Sequence, residues 1–323
     1  MANELGDRLD EASRAGLVDG LHAVVVVRGG EVVLEHYRSG QDYSWGTSMG
    51  VVQFGPDTRH DLRSVTKSVT GLLYGIALGA GQVPQPEAPL LSQFPQYPDL
   101  AADPERARLT VEHALTMSLG LEWREDVPYD NPANGEIAME LAPDRYRYVL
   151  ERPIVEPPGT SWVYCGGATA LLGGLIAAGT GQSLADYGRA ALFGPLGIDN
   201  VEWMTGADGV ASAASGLRLA PRDLARVGEL VLAKGAWGGH QLVPAGWIDA
   251  MLQPRLQTHW GAGYGYQWYV ETVAGHRLLV GNGNGGQRLV VAPEQDLVVA
   301  IAAGNYDDPE QWRTPVAVLE RVL

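Results

Sequence analysis

The interpretation of this chain depends on the segment Arg63-Ser64-Val65-Thr66-Lys67-Ser68-Val69-Thr70-Gly71. This segment places a serine three residues before one of only two lysines. The other lysine is Lys234, against 21 arginines. An arginine stays protonated at any biological pH, whereas the pKa of a buried lysine can fall until its amine accepts a proton. Ser64 and Lys67 are therefore candidates for a nucleophile and its base.

The residues that follow predict a buried helix over 65–78, with Ser64 at or near its first turn. Free backbone amides in that turn favour developing negative charge. Residues three apart share a helix face, so Lys67 can point at the Ser64 hydroxyl. A Ser-x-x-Lys pattern is also compatible with a simple helix cap and a solvated lysine. The apolar residues after Lys67 argue against solvation.

Length and charge narrow the possible functions. A chain of 323 residues is long enough for one large two-part body or two intimate domains. Its net charge of −15 argues against nucleic acid as a partner, because phosphate binding needs clustered Lys and Arg. Residues 1–10 lack the basic and apolar regions of an export signal, and no stretch reaches the length of a membrane span. We therefore expect a cytoplasmic protein with no membrane partner.

Strand-like and helix-like segments are segregated along the chain. A glycine pair in Arg28-Gly29-Gly30 predicts a hairpin of two strands, and further β-rich segments lie near the other end: 23–27, 31–37, 264–270, 277–280, 288–291 and 297–302. Helical spacing or helix-start signals mark 110–117, 168–178, 183–192, 221–233, 244–252 and 309–323. The pattern predicts an α+β fold, with an antiparallel sheet from 1–58 and 260–323 flanked by helices, and a mainly helical region inserted at 59–259.

Several short motifs are predicted not to carry chemistry. The G-x-S-x-G pattern around Ser48 is not followed by a helix, so it is not a nucleophile elbow. The G-x-G-x-x-G pattern at 281–286 leads into a strand rather than a helix. A lone cysteine such as Cys165 is most often a small buried hydrophobe. The histidines show no metal-binding spacing, so neither a metal site nor any cofactor is expected.

Three more segments complete a family pattern: Glu156-Pro157-Pro158-Gly159-Thr160-Ser161-Trp162-Val163-Tyr164-Cys165-Gly166-Gly167, residues 109–121, and Gly283-Asn284-Gly285-Gly286-Gln287. With the Ser64 segment, they resemble the serine β-lactamase and penicillin-binding-protein superfamily over nearly the whole chain. The resemblance looks closest to the branch holding class C β-lactamases, D-alanyl-D-alanine carboxypeptidases, family VIII carboxylesterases and 6-aminohexanoate-dimer hydrolases. It implies a β-lactamase/transpeptidase-like fold with the active site between the sheet and the helical region.

The resemblance also implies roles for individual residues. Ser64 would be the acylated nucleophile, Lys67 its proton acceptor, and Tyr164 the tyrosine of the family's Tyr-x-Asn motif. Tyr164 could act as a base only if positive charge from Lys67 lowers its pKa. The backbone amides of Ser64 and Gln287 would form the oxyanion hole. Substrate-binding positions would be Gly166, Asn284, Gly285 and Gly286, with Asn282 as an alternative to Asn284.

Two departures from the family pattern bear on the substrate. Gly166 stands where the family has the Asn of Tyr-x-Asn, and Asn284-Gly285-Gly286 stands where penicillin-recognising members have Lys-Thr-Gly or His-x-Gly. The cleft would then lack a cation for a substrate carboxylate, provided that Gln287 faces the cleft and Arg288 points away from it. Neighbouring side chains on a strand point to opposite faces, so only one of the two can face the cleft. Aromatic residues that could line an acyl pocket are Trp123, Trp162, Trp260, Tyr266 and Trp268.

Three functions fit this pattern. The first is a serine hydrolase that acts on small-molecule esters or amides through a Ser64 acyl-enzyme. The second is a β-lactamase or D-alanyl-D-alanine carboxypeptidase, which the absence of an export signal disfavours. The third is a non-catalytic binding relative of the same fold. The sequence leaves the acyl group, the leaving group and the oligomeric state open.

Overall fold

The computed structural model describes residues 2–273 and 275–323. Its strands are β1 (Leu21–Arg28), β2 (Glu31–Tyr37), β3 (Ser39–Ser44), β4 (Thr47–Gln53), β5 (His60–Asp61), β6 (Glu202–Trp203), β7 (Leu217–Leu219), β8 (Ala236–Trp237), β9 (His240–Gln241), β10 (Leu256–Gln257), β11 (Gly263–Tyr264), β12 (Tyr269–Val273), β13 (His276–Gly283), β14 (Gln287–Ala292) and β15 (Leu297–Ala303). Its helices are α1 (Ala2–Arg14), α2 (Val65–Gly79), α3 (Pro98–Ala101), α4 (Val111–Leu115), α5 (Gly135–Glu140), α6 (Arg145–Leu150), α7 (Gly166–Thr180), α8 (Leu184–Gly188), α9 (Pro221–Leu232), α10 (Ala245–Met251) and α11 (Arg313–Val322).

An eight-stranded sheet forms the frame of the molecule, in the order β10-β11-β12-β13-β14-β15-β1-β2. Every neighbouring pair in it is antiparallel. The predicted β1–β2 hairpin is confirmed: Arg28 pairs with Glu31, and Gly29 and Gly30 have φ of 60° and 74°. The predicted origin of the sheet in both ends of the chain is also confirmed. Three smaller sheets are β3-β4, β5-β7-β6 and β8-β9.

The large sheet is buried on both faces because its central strands are mostly apolar. Side chains alternate between the faces of a strand. Thus Val24 and Val26 of β1 belong to one core with Leu9 and Val318 of the terminal helices α1 and α11. Their neighbours Val25 and Val27 belong to the other core, whose helical members include residues of α2, α7 and α9. Such burial contributes about 1.5–3 kcal/mol per valine-sized side chain.

The region between the strands is mainly helical, as predicted, and α2 packs against α7. Both helices are almost completely buried, which explains their small and apolar residues. The division into 1–58 with 260–323 and 59–259 stays a prediction. Across the described residues, every helix is too short or too polar to span a bilayer.

Some predicted elements differ from the structure. The β-rich stretch 264–270 is two strands, β11 and β12, separated by a turn in which Gln267 has a φ of 64°. The helix expected over 183–192 is α-helical only to Gly188 and continues as a π-helical turn, Arg189–Phe193. The N-terminal helix α1 was not predicted at all. The helix expected over 110–117 spans only Val111–Leu115.

Candidate active site

Ser64 lies at the start of α2, where the chain turns out of β5. Arg63, the residue before it, has a φ of 47°, a left-handed conformation that is uncommon for a residue with a side chain. Ser64 is the N-cap of α2 and is 7% exposed, so its hydroxyl can be reached from solvent while its backbone lies at the positive end of the helix. The predicted helix context of Ser64 is confirmed.

Lys67 is 2% exposed, and its ammonium group donates hydrogen bonds to three acceptors. Its Nζ donates to Ser64 Oγ at 3.0 Å, to Glu136 Oε2 at 3.2 Å and to the Ala214 carbonyl at 3.1 Å. Burial alone would lower the pKa of Lys67, but the charge of its partner Glu136 raises it above its ordinary value. Lys67 is therefore an ammonium in the resting site, and not yet a free base.

Tyr164 lies in the loop before α7 and faces both residues. Its ring centroid is 4.8 Å from Lys67 Nζ, and its side chain is hydrogen-bonded to Ser64. Burial raises the pKa of Tyr164, and the opposing charge of Lys67 does not overcome it. The condition for Tyr164 to act as a base, a pKa lowered by Lys67, is therefore not met in the resting site, because loss of solvent outweighs the nearby charge.

Two glutamates that the sequence did not indicate complete this cluster. Glu136, in the short helix α5, is the ion-pair partner of Lys67. Glu125 accepts hydrogen bonds at 2.5 Å from both the Gly166 backbone N–H and the Trp123 indole. Burial, and then the charge of Glu136, raise the pKa of Glu125 to about 8. Near neutral pH, Glu125 therefore holds a proton.

Gly166 explains how both glutamates fit. A Cβ at position 166 would lie 2.5 Å from Glu136 Oε2 and 2.9 Å from Glu125 Oε1, closer than real Cβ atoms approach. The departure from Tyr-x-Asn therefore opens the space that the carboxylates occupy. Gly166 lies beneath them and does not line the cavity in front of Ser64.

We expect Gly166→Asn to destabilise the protein by about 1–3 kcal/mol, because the new side chain must displace a buried carboxylate. The measurement is the midpoint of urea unfolding. The matched control is Gly246→Asn, at a helical position with nothing within 4 Å of a Cβ. Equal midpoints for the two variants would contradict this account of Gly166.

The hairpin between β13 and β14 approaches the start of α2 from the sheet side. Gly283 has no room for a side chain, since a Cβ there would lie 2.4 Å from the Leu62 carbonyl oxygen. Within the described part of the chain, this hairpin contributes Asn282, Gly283 and Asn284 to the cavity wall. Gly285 and Gly286 form the turn behind them with φ near 90°, so of the predicted Asn284-Gly285-Gly286 set only Asn284 lines the cavity.

The expected orientations of Gln287 and Arg288 are reversed. The Gln287 side chain is buried and bonded to the backbone of Ala303 on β15, whereas Arg288 lines the cavity. The two side chains do point to opposite faces of the strand, as predicted, but each points to the face predicted for the other. The reason is that the amide of Gln287 satisfies backbone groups inside the sheet. Arg288 forms a salt bridge with Glu271, so its charge is already paired. The role of the Gln287 backbone amide as an oxyanion donor stays a prediction.

Two cavities meet at Ser64. One has a volume of about 1100 Å³ and is walled largely by aromatic side chains, including Trp123, Trp162, Trp260 and Trp312. The other has a volume of about 850 Å³ and is more polar, with Arg63, Glu136 and Tyr306 in its wall. Tyr266 and Trp268, which were candidates for the pocket, are instead core residues. A substrate can therefore extend to either side of the nucleophile.

The discounted motifs are not part of this site. Ser48 lies on strand β4 rather than on a strand-to-helix elbow, and its Oγ accepts a hydrogen bond from Gln41. Cys165 is buried as the N-cap of α7, where burial raises the pKa of its thiol. The glycines at 281–286 lead from β13 into β14, not into a helix. These three predictions are confirmed.

Known proteins are similar to this chain in sequence and in fold. The family model described as Beta-lactamase matches residues 3–318. The chain belongs to the β-lactamase family. This result confirms the resemblance drawn from the sequence and makes the protein a hydrolase of the β-lactamase serine-hydrolase type.

Relatives within the β-lactamase family have several activities. The chain is 26% identical over 309 residues to the 6-aminohexanoate-dimer hydrolase of Paenarthrobacter ureafaciens, covering 89% of this chain and 73% of the relative. It is 27% identical over 206 residues to esterase EstB of Burkholderia gladioli, covering 61% of this chain and 50% of the esterase. The solved structure of EstCE1, a hydrolase with promiscuous acyltransferase activity, superposes with a TM-score of 0.80 at 16% identity, covering 99% of both chains. That likeness confirms the β-lactamase/transpeptidase-like fold.

Proposed function

We propose that this protein cleaves small ester or amide substrates through a Ser64 acyl-enzyme. The observation that carries the proposal is the contact of 3.0 Å between Lys67 Nζ and Ser64 Oγ, at the junction of the two cavities. A serine is a weak nucleophile until a neighbouring group accepts its proton. The Lys67, Tyr164 and Glu136 set provides that group within hydrogen-bond reach.

Proton movement in this site starts from the Lys67–Glu136 ion pair. Lys67 can accept the Ser64 proton only after its own ammonium proton moves to Glu136 Oε2, 3.2 Å away. The products of that transfer are a neutral amine and a neutral carboxyl, which a buried site tolerates better than two charges. Ser64 Oγ then bonds to the substrate carbonyl carbon, and its proton passes to Lys67. The protonated Tyr164 is positioned to supply a proton to the leaving group, and the proton held by Glu136 then returns through Lys67 to Tyr164, which restores the ion pair and the neutral phenol.

The remaining steps use groups at the start of α2 and in the facing hairpin. The Ser64 backbone amide, with an amide of the hairpin at Asn284 or Gln287, would hold the carbonyl oxygen as it becomes negative. Each such donor contributes about 3 kcal/mol to the transition state. The carbonyl then reforms and expels the leaving group, and water attacks the acyl-enzyme in the same way. The aromatic cavity suits an apolar acyl group.

Charge in the cleft favours neutral substrates over anionic ones. The cations in the aromatic cavity are both paired, Arg288 with Glu271 and Arg124 with Asp126. The same cavity also contains Glu122 and Glu125. A substrate carboxylate would therefore meet no free cation among the described residues of this wall. A charge-assisted hydrogen bond of that kind is worth about 1.5–3 kcal/mol.

We expect p-nitrophenyl acetate or butyrate to be hydrolysed with a kcat/KM at least about tenfold higher than that of nitrocefin or benzylpenicillin, measured on one preparation. Comparable values for the β-lactams, lost on Arg288→Ala, would show that Arg288 binds their carboxylate. The protein would then have the second of the three functions considered above, that of a β-lactamase or a D-alanyl-D-alanine carboxypeptidase.

A further inference from the structure

A second polar cluster lies behind the Ser64 site and takes no part in the proposed chemistry. It consists of His22 on β1, Asp42 on β3 and His60 on β5, which are 2%, 0% and 0% exposed. His22 Nδ1 is 2.9 Å from His60 Nε2, and His60 Nε2 is 3.5 Å from Asp42 Oδ1. One atom from each side chain lies within 4.8 Å of the other two. No spacing rule for metal ligands marks this cluster, because the three residues come from separate strands.

Asp42 lacks the partner that other buried acids have. Of the four least exposed acidic residues in the described part of the chain, three have a Lys or Arg partner: Asp61 with Arg63 and Arg218, Glu136 with Lys67, and Glu140 with Arg145. Asp42 has the Tyr306 hydroxyl as a donor to Oδ1, and its Oδ2 has no hydrogen-bond partner. A buried carboxylate without compensation is costly, so this position suits a positively charged partner.

His60 presents a lone pair toward Asp42 rather than a positive charge. His60 Nδ1 lies 3.0 Å from the Asp61 carbonyl oxygen, which can only accept, so Nδ1 carries the proton and Nε2 has a free lone pair. A ring N–H that donates to a backbone carbonyl is also the usual way in which a metal-binding histidine is oriented.

We propose that His22 Nδ1, His60 Nε2 and the Asp42 carboxylate bind a divalent transition-metal ion, and that this ion is Zn²⁺. Ligand atoms about 2.1 Å from a shared metal lie about 3.0–3.4 Å apart. Two of the three distances in the cluster, 2.9 and 3.5 Å, need to change by only a few tenths of an ångström, and the third, between His22 and Asp42, is within 4.8 Å. Imidazole nitrogen and carboxylate oxygen are both ligands that Zn²⁺ accepts. This proposal does not depend on the proposed hydrolase activity.

The ion would be structural, because it joins three strands next to the nucleophile. His60 begins β5, and Ser64 follows four residues later. Tyr306, which donates to Asp42, is also stacked under the Arg63 guanidinium at 4.7 Å. Loss of the ion would leave Asp42 uncompensated and loosen the segment that presents Ser64.

The test uses the full chain, dialysed against EDTA and then titrated with ZnCl2. We expect about one equivalent of Zn²⁺ per chain by elemental analysis after desalting, and a Tm at least about 5 °C higher with Zn²⁺ than without it. Co²⁺ in place of Zn²⁺ should give visible absorption bands from nitrogen and oxygen ligands. These wild-type measurements do not require any variant to fold.

Variants then locate the ion. Asp42→Asn keeps the hydrogen bond from Tyr306 but removes the charge, and His60→Gln removes a ligand. Each should weaken Zn²⁺ binding by at least about 100-fold. The control is His240→Gln at an exposed position on β9, which should bind like the wild type. If Zn²⁺ changes neither Tm nor metal content, or if Asp42→Asn binds it equally well, the cluster is only a hydrogen-bonded network and the proposal is wrong.

Discussion

Ser64→Ala is expected to remove hydrolysis of p-nitrophenyl butyrate almost completely, lowering kcat by at least about 10⁴-fold, as removal of a serine nucleophile does in other hydrolases. The physical reason is that no other group at the junction of the two cavities can form the acyl intermediate. The Ser64 side chain caps no helix N–H, so the variant should keep the fold of α2. The measurements are kcat and the Tm of the same preparation.

The matched control for this experiment is Ser48→Ala. Ser48 lies in a G-x-S-x-G pattern, but it is exposed on β4, so its loss should leave most of the activity. Intact mass after a fluorophosphonate label should place one adduct on the wild type and none on Ser64→Ala. Equal loss of activity in the Ser48 and Ser64 variants, with unchanged Tm, would refute the assignment of the nucleophile.

Local signals in the sequence were enough for the frame of this fold. The hairpin turn needs positive φ, which only glycine adopts freely, so Gly29 and Gly30 marked it. Apolar residues without charge over 65–78 marked a helix buried on all sides, and α2 is such a helix. These patterns depend on neighbours in the chain. The relation of Ser64 to Lys67, three residues apart on one helix face, is local in the same sense.

The parts that the sequence did not show depend on contacts between distant residues. Glu136 is 69 residues from Lys67 along the chain, and no motif marks it. The sequence contained only an indirect signal of Glu136. Gly166 stands where the family has Asn, and the missing side chain leaves space that another polar group could fill. A comparable distance separated His22 from His60, so spacing rules for metal ligands could not detect them.

Tertiary contacts also override local strand preference at 264–270. These residues have the composition of a strand, yet the Gln267 side chain forms hydrogen bonds with Thr169 and with carbonyl oxygens at the end of α4. The indole of Trp268 donates to the Ser68 carbonyl of α2. These buried hydrogen bonds connect the sheet to the two helices of the active site. Their energy depends on partners that the local sequence does not contain, so the turn between β11 and β12 was missed.

Substitution of Lys67 is expected to have the second large effect on kcat, and the contacts of its ammonium group decide which variants to compare. Its ammonium is held by three acceptors at 3.0–3.2 Å, so charge alone could be its whole contribution. Lys67→Arg keeps a charge, but a guanidinium cannot give up its proton and is too large for a site that is 2% exposed. If Lys67 acts as a base, Lys67→Arg and Lys67→Ala should both lower kcat by at least about 10²-fold.

Stability must be separated from catalysis in these variants. Lys67→Ala leaves Glu136 buried without a partner, which should cost about 3–5 kcal/mol. The double variant Lys67→Ala with Glu136→Gln removes that unpaired charge, so it should regain most of the lost Tm and none of the lost kcat. If Lys67→Arg instead keeps more than about a tenth of kcat, a loss under about 1.4 kcal/mol, then Lys67 acts through its charge. The proton of Ser64 would then have to pass to Tyr164 or to the glutamate pair that Gly166 accommodates.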